Sequence, residues 1–414
     1  MIAEIIAVGS EMLTPHRQDT NSLYLTAGLN DLGVSVAFKT IVGDNRRHLV
    51  GAIRTALSRA DIVLLSGGLG PTEDDLTREC LAEVLHLNLH RDTAILNALR
   101  ARFAARKIVM SPNNARQADV LDGAHVLPNA NGSAPGQYLD TIVEGYRKIV
   151  VLLPGPPKEL KPLFDHECRP RLSVALPAHS IARRQLRMAL IPESQVDARC
   201  APIYAQFTDV ETTILAGHAE IQLHFVCSKP TLEAAQLRVD TLADLIAREM
   251  GDDIFSDDGD SLEAVVLLML GLREHTLAVA ESCTGGWLAE RLTSVPNSSR
   301  VFLGGAITYS NALKTNFANV DPALIAQHGA VSDPVARALA EGIRARTGAT
   351  LGLSITGIAG PSTPESEKPV GLVYIGLADG EDTQVRQLHI TGDRERIRLW
   401  STQHALELLR RRLI

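Results

Sequence analysis

Residues 61–79, DIVLLSGGLGPTEDDLTRE, run from a continuous apolar segment straight into three glycines, then into acids and a helix start. An apolar run without alternation is the mark of a strand covered on both faces. The same pattern recurs on either side. AEIIAV ends at Gly9, and KIVVLLPG at 148–155 closes on another glycine before a helix from Lys158. VSVAFKTIVG forms a further run after a helix closed by Gly33. Between Arg46 and Ala60, residues Leu49, Val50, Ile53, Ala56 and Leu57 share one helical face. Buried strands separated by helices predict an α/β fold with a parallel or mostly parallel sheet.

Residues 172–254 read differently. ARRQLRMAL, a helical stretch, a hairpin turning near Gly217 and a helix from Thr231 to Met250 predict a small α+β module. Past the linker-like DDGDS, a second α/β pattern begins. It comprises a helix over 261–274, then TLAVAES, AITYS, a helix over 332–346, LGLSITG, GLVYIGLA, QVRQLHI and a closing helix. The expected domains are 1–171, 172–254 and 255–414.

Composition narrows the function. The chain has 414 residues, room for two or three domains at roughly 150 residues each. Lys+Arg 41 against Asp+Glu 48 gives −7, so no sequence-wide basic field exists to hold nucleic acid. No apolar run reaches the ~18 residues of a membrane helix; the nearest is Ala264–Leu272. The N-terminus lacks the charged and cleavable features of a secretion signal. Five scattered cysteines without a CxxC pair exclude a zinc ribbon and a disulfide framework. A cytoplasmic location is expected.

Three polar, glycine-bearing strand ends mark the first domain, at 9–22, 67–79 and 153–160. In open α/β sheets ligands sit beyond the carboxyl ends of strands, so these loops are expected to meet at one crevice. Gly67, Gly68 and Gly70 would let backbone N–H groups approach a phosphate. Asp74 and Asp75 tolerate a phosphate only with a divalent cation between. Glycines that merely turn the chain, and acids that merely favour a helix start, remain the plain alternative.

In the last domain AESCTGG, residues 280–286, passes from a strand through Ser282 into a helix, where unpaired backbone N–H groups could stabilise an oxyanion. A serine near neutral pH needs a base, and none of the 13 histidines falls in a telling pattern. TYSNALK supplies Tyr309 and Lys314; a lysine depressed by burial can deprotonate serine. SITGIAGP adds Thr356 and Gly357, and GDRERIR clusters Arg394, Arg396 and Arg398. Singly, each reads as structure: Ser282 a cap, Tyr309 a core residue, Lys314 a solvated one, the arginines a surface stripe. Cys283 is the rival nucleophile, without a paired histidine.

Taken in order, GSEML, DTNS, GGLGPTEDDLTRE, LPGPPKEL, AESCTGG, TYSNALK, GAVSDPVA, TGIAGP, EKPVG and GDRERIR resemble the CinA (competence/damage-inducible protein A) family over essentially the whole chain. The resemblance implies a MoaB/MogA-like three-layer α/β N-terminal domain, a small KH-like connector and a C-terminal α/β deamidase domain. It implies two hydrolytic activities. The C-terminal domain would convert nicotinamide mononucleotide to nicotinic acid mononucleotide and ammonia, without a cofactor. The N-terminal domain would split ADP-ribose into AMP and ribose 5-phosphate with a divalent metal ion.

Carried onto this chain, it makes Ser282 the nucleophile, with Lys314 and Tyr309 handling its proton. Cys283, Thr284, Gly285, Gly286, Thr356 and Gly357 would line the site, with Arg396 or Arg398 on the nucleotide phosphate. In the first domain Asp74 and Asp75 would hold the metal, and Gly67, Gly68, Gly70 and Thr72 the phosphate. Glu11, Asp19, Asn21, Pro154, Gly155 and Glu159 would form the remaining walls. The resemblance implies a homodimer, while the apolar run lengths and the net charge of −7 lead to no expected membrane or nucleic-acid partner. The chain departs from the family after TGIAGP, where STPESEKPV replaces a glycine-rich turn. Two other readings stay open: a first domain that only binds a pterin or nucleotide, and a competence-related adaptor associated with nucleic acid.

Overall fold

The computed structural model describes all residues except 177–179, 218 and 363–367; most of the departing 362–368 loop therefore lies outside the described residues. By contacts the chain forms two compact units. The first comprises 1–182 with 228–236, and the second 183–227 with 237–414.

The first unit is built on a six-stranded sheet in the order Ser35–Val42, Ile2–Val8, Ile62–Ser66, Tyr146–Leu153, Gly136–Val143, His125–Leu127. The first four strands are parallel. The last two turn antiparallel, so the sheet is mostly parallel, as its continuous apolar runs predict. Two apolar clusters cover its faces. One holds Ile6, Leu49, Ile53, Val63 and Leu65, and the other Ile5, Leu25, Leu29, Leu64 and Phe164. Helix and sheet layers on both sides of one sheet are the α/β architecture expected of this unit. Because strands 2–8, 62–66 and 146–153 run the same way, their C-terminal ends lie side by side and deliver all three glycine-bearing loops to one edge.

In the second unit the hairpin Val210–Gly217 and Glu220–Lys229 pairs antiparallel. It belongs to a four-stranded sheet with Ser180–Ala189 and Ile254–Ser256, and the helix Leu232–Met250 follows the hairpin in the chain. A five-stranded sheet follows in the order Phe302–Ile307, Leu277–Glu281, Leu351–Gly357, Leu372–Ala378, Thr383–His389. Its first three strands are parallel and the last two antiparallel. The helix Arg394–Leu413 buries Ile397, Leu406 and Leu409 in one of its apolar layers. The helix Asp333–Thr347 contributes Val335, Leu339 and Ile343 to the other. Among the described residues no helix is long and apolar enough to cross a membrane.

Candidate functional site

In the second unit the site forms where the central strand Leu277–Glu281 ends. Ser282 N–H still donates to Ile355 O at 2.9 Å, so the serine starts from a fixed sheet position. The chain then turns through Gly285 (φ 60°) and Gly286 (φ 96°), conformations that favour glycine, into the helix Trp287–Thr293. The turn is braced from inside by Glu281. Its buried carboxylate accepts from the N–H groups of Gly286 (3.1 Å), Leu288 (3.0 Å) and Ala289 (2.8 Å). This residue was not picked out from the sequence, although an acid just before a helix start is a recognised stabiliser.

Lys314 comes from the helix Asn311–Ala318 and is 1% exposed. Its Nζ lies 3.2 Å from Ser282 Oγ and donates to Thr308 O at 2.7 Å. No carboxylate pairs with it among the described residues, and burial pulls its pKa down from 10.5 to about 8. The solvated reading of Lys314 is thereby excluded. Thr308 is held in turn by its own N–H on Glu281 O at 2.7 Å. Nucleophile and amine thus hang on adjacent, parallel strand ends.

Other expected members take different places. Tyr309 is 59% exposed, and its hydroxyl accepts from Arg394 at 3.3 Å. It makes no hydrogen bond to Ser282 or Lys314, so the structure does not place it in the proton relay, nor in the core. The Gly285 N–H donates to Ser282 O and the Gly286 N–H to Glu281. The Thr284 N–H has no acceptor among the described residues, and the Cys283 N–H meets only its own sulfur. The Cys283 thiol is buried and pushed up to about 12 by desolvation, an inert neighbour. The Thr356 hydroxyl is buried and donates to Ala330 O at 2.8 Å, so it is engaged in structure. Gly357 leaves no room for a side chain, since a Cβ there would stand 2.7 Å from Val373 and 3.1 Å from the Cys283 sulfur.

The arginines separate by role. Arg398 donates to the carbonyls of Cys283 (3.2 Å) and Thr284 (2.7 Å), which fixes the turn from outside. Arg396 stacks over Trp400 at 4.7 Å. Arg394 bonds Gly360 O at 2.7 Å as well as Tyr309, and is exposed. Arg394 and Arg396 are both exposed, while Arg398 is engaged by the turn.

In the first unit a cavity of about 680 Å³ opens at the shared strand edge. Gly67, Gly68, Gly70, Thr72, Asp74 and Asp75 line it. So do Glu11, Asn21, Pro154, Gly155 and Glu159. The three loops therefore meet. Asp19 does not line it; its carboxylate caps the helix Thr20–Asp31 by accepting from Ser22 N–H at 2.9 Å. Gly67 (φ 106°) and Gly68 (φ 66°) permit no Cβ, which would fall 2.2 Å from Val8 O and from the Thr77 hydroxyl respectively. Asn21 Nδ2 donates to Gly155 O at 2.7 Å, while its buried Oδ1 has no partner. Arg116, on the 111–117 loop, donates to Thr72 O at 3.1 Å and clamps the loop.

The lining carries the carboxylates Glu11, Asp44, Asp74, Asp75 and Glu159 against one cation, Arg17. That hard-oxygen surplus suits a divalent cation and opposes a bare anion. No three metal-ligating side chains converge among the described residues. An ion there would have to be completed by ligand oxygens, as magnesium commonly is, and could not rest in a protein-only cage.

Two α/β units, one with a glycine-loop crevice and one with a serine–lysine pair, define a two-site protein of the α/β class. Residues 4–174 match the family "Probable molybdopterin binding domain" and residues 259–413 match "CinA C-terminal domain". A CinA-like protein of Acidobacterium capsulatum is 59% identical over 414 residues, covering 100% of both chains. One of Koribacter versatilis is 53% identical over 414 residues, again covering 100% of both. The crystal structure of "the protein CinA with unknown function" from Thermoplasma acidophilum is 32% identical, with a TM-score of 0.37 over 40% of this chain and 94% of that one. The chain belongs to the CinA-like family.

Proposed function

We propose that the second unit deamidates nicotinamide mononucleotide by serine–lysine chemistry. The observation that carries this is the buried, carboxylate-free Lys314 amine 3.2 Å from the Ser282 hydroxyl. Neutral Lys314 takes the Ser282 proton as Oγ attacks the carboxamide carbon. The Cys283 and Thr284 N–H groups receive the oxyanion, a contribution of about 3 kcal/mol per donor. Collapse expels ammonia with the proton returned from Lys314, leaving an acyl-serine. Water, deprotonated by the same amine, attacks the acyl carbon; the acid leaves and the proton returns to Oγ. An exposed arginine of the 392–398 segment, Arg394 or Arg396, would take the nucleotide phosphate. The direct test is ammonia release from nicotinamide mononucleotide with the Ser282→Ala protein alongside. Release that survives in the variant removes the serine mechanism, and no release from either removes the activity.

For the first unit we propose hydrolysis of ADP-ribose to AMP and ribose 5-phosphate. The cavity that joins the glycine loop to a carboxylate surplus supports it. Asp74 and Asp75 would hold a divalent cation, whose chemistry is to neutralise a pyrophosphate and acidify water. Gly67, Gly68 and Gly70 keep the backbone close enough to bind phosphate oxygens. Asn21 Oδ1, buried without a partner, is available to orient a ligand hydroxyl. AMP formation, followed with and without added magnesium, tests the reading; binding of ADP-ribose without product leaves only a binding domain. The family resemblance also supports a homodimer, which a mass measurement in solution checks.

A further inference from the structure

Arg78 lies at the start of the helix Thr77–Leu85, behind the glycine loop, and is 1% exposed. Its two terminal nitrogens donate to Leu69 O at 2.8 Å and Gly70 O at 3.1 Å, and its buried Nε has no acceptor. No carboxylate forms an ion pair with it among the described residues. The acids nearest to it are engaged elsewhere. Glu79 pairs with Arg116 at 2.9 Å and Asp119 with Arg91 at 2.8 Å, while Asp75 accepts from Thr72 N–H at 2.9 Å.

A buried guanidinium without a counter-ion is destabilising, and an apolar side chain of similar volume commonly improves stability at such a place. Its presence under a ligand cavity therefore calls for a benefit that appears when the cavity is filled. The geometry supplies one. In a trans peptide the carbonyl of Leu69 and the N–H of Gly70 point opposite ways. Because Arg78 holds Leu69 O, the Gly70 N–H of the same peptide faces away from the guanidinium, and both residues line the cavity while Arg78 does not. The positive charge then stands behind that amide, in a low-dielectric setting where it acts over several ångströms.

We propose that Arg78 is the positioning residue and buried counter-charge of a phosphate subsite at residues 67–72, its charge offset through the loop only when a pyrophosphate or phosphate ester is bound. This rests on reading the first-unit cavity as a phosphate-ester site. It predicts a split between binding and stability that a structural arginine would not give.

The experiment compares Arg78→Met and Arg78→Lys with the parent in the full chain. Inorganic pyrophosphate is titrated with magnesium present, in a Ser282→Ala background whose second-unit site is filled with nicotinamide mononucleotide. KM and kcat for ADP-ribose and the thermal midpoint are measured in parallel, and ammonia release serves as the folding control in chains that keep Ser282. The expected result for Arg78→Met is at least ten-fold weaker pyrophosphate binding and a raised KM, with an undiminished midpoint and intact ammonia release. Arg78→Lys, which keeps the charge without the fork, should fall between. Unchanged pyrophosphate binding in Arg78→Met overturns the inference, as does a lowered midpoint with ammonia release falling in step. A parent that binds pyrophosphate but leaves ADP-ribose intact removes the hydrolytic reading alone. A parent that binds no pyrophosphate overturns both.

Discussion

Lys314 and Thr308 are joined by a 2.7 Å hydrogen bond from the lysine Nζ to the threonine carbonyl, and that bond aims the amine at Ser282. The anchor is a neutral carbonyl, so it orients the amine without the charge stabilisation a carboxylate would give. Burial then governs the lysine's proton affinity.

Removing either partner of the pair should abolish ammonia release. Ser282→Ala and Lys314→Ala are each expected to lower kcat for nicotinamide mononucleotide by 10³-fold or more, the order seen when nucleophile or base is removed. Lys314→Arg should not rescue, because a guanidinium stays protonated. Near-parental rates in either alanine variant would sink the mechanism.

The pH dependence follows from the direction of the lysine shift. Burial lowers Lys314 from 10.5 to about 8, and the working form is neutral. Thus kcat/KM should rise with pH through about 8 and level off above it. A profile already flat between pH 6 and 8 would argue that Lys314 is not the base.

Cys283 offers a contrast to its neighbour. Its thiol, buried and pushed up to about 12, stays protonated at neutral pH. Cys283→Ala should therefore keep ammonia release within a few-fold, at a stability loss of about 1 kcal/mol. Alkylating reagents should leave the native protein active. Loss of activity with an unchanged thermal midpoint would return Cys283 to contention.

Glu281→Gln tests the brace beneath the nucleophile. A neutral amide cannot accept three N–H groups as a carboxylate does, so the helix Trp287–Thr293 should lose about 1–2 kcal/mol of capping. Slower deamidation should accompany it, because the same turn carries the Cys283 and Thr284 amides. Denaturant unfolding and ammonia release, read together, check this.

A chelator should separate the two units. Excess EDTA is expected to stop AMP formation from ADP-ribose and to leave ammonia release untouched, since the first cavity has a carboxylate surplus whereas no carboxylate pairs with Lys314 among the described residues. Inhibition of both reactions, or of neither, would contradict the assignment.

Much of the fold was legible along the chain because buried parallel strands write themselves as unbroken apolar runs. Those at 3–8, 62–66 and 149–153 placed the sheet and, with it, the three loops of the cavity. The strand-to-helix turn at Ser282 was legible for the same reason. The assignments that failed share a cause. Tyr309, expected in the proton relay or else in the core, is exposed and bonded to Arg394. Phe317 is exposed on the helix that buries Lys314, so polarity is inverted there and composition misleads. Arg78 did leave a trace, since it shares a helical face with the buried Leu81 and Ala82, three and four positions on. A charged residue on an apolar stripe is easily passed over as surface.

The sequence by itself determined the α/β class, the strand-end loops and the family, because local periodicity and glycine placement are properties of the chain. Only the tertiary structure decided which side chains meet. Strand order brings residue 308 beside residue 281, and with it Lys314 beside Ser282. The same packing withdraws Thr356 and Arg398 into structural hydrogen bonds, leaves Tyr309 at the surface, and closes the glycine loop over an unpaired arginine. Those outcomes depend on register and burial between segments far apart in the chain, which no local pattern encodes.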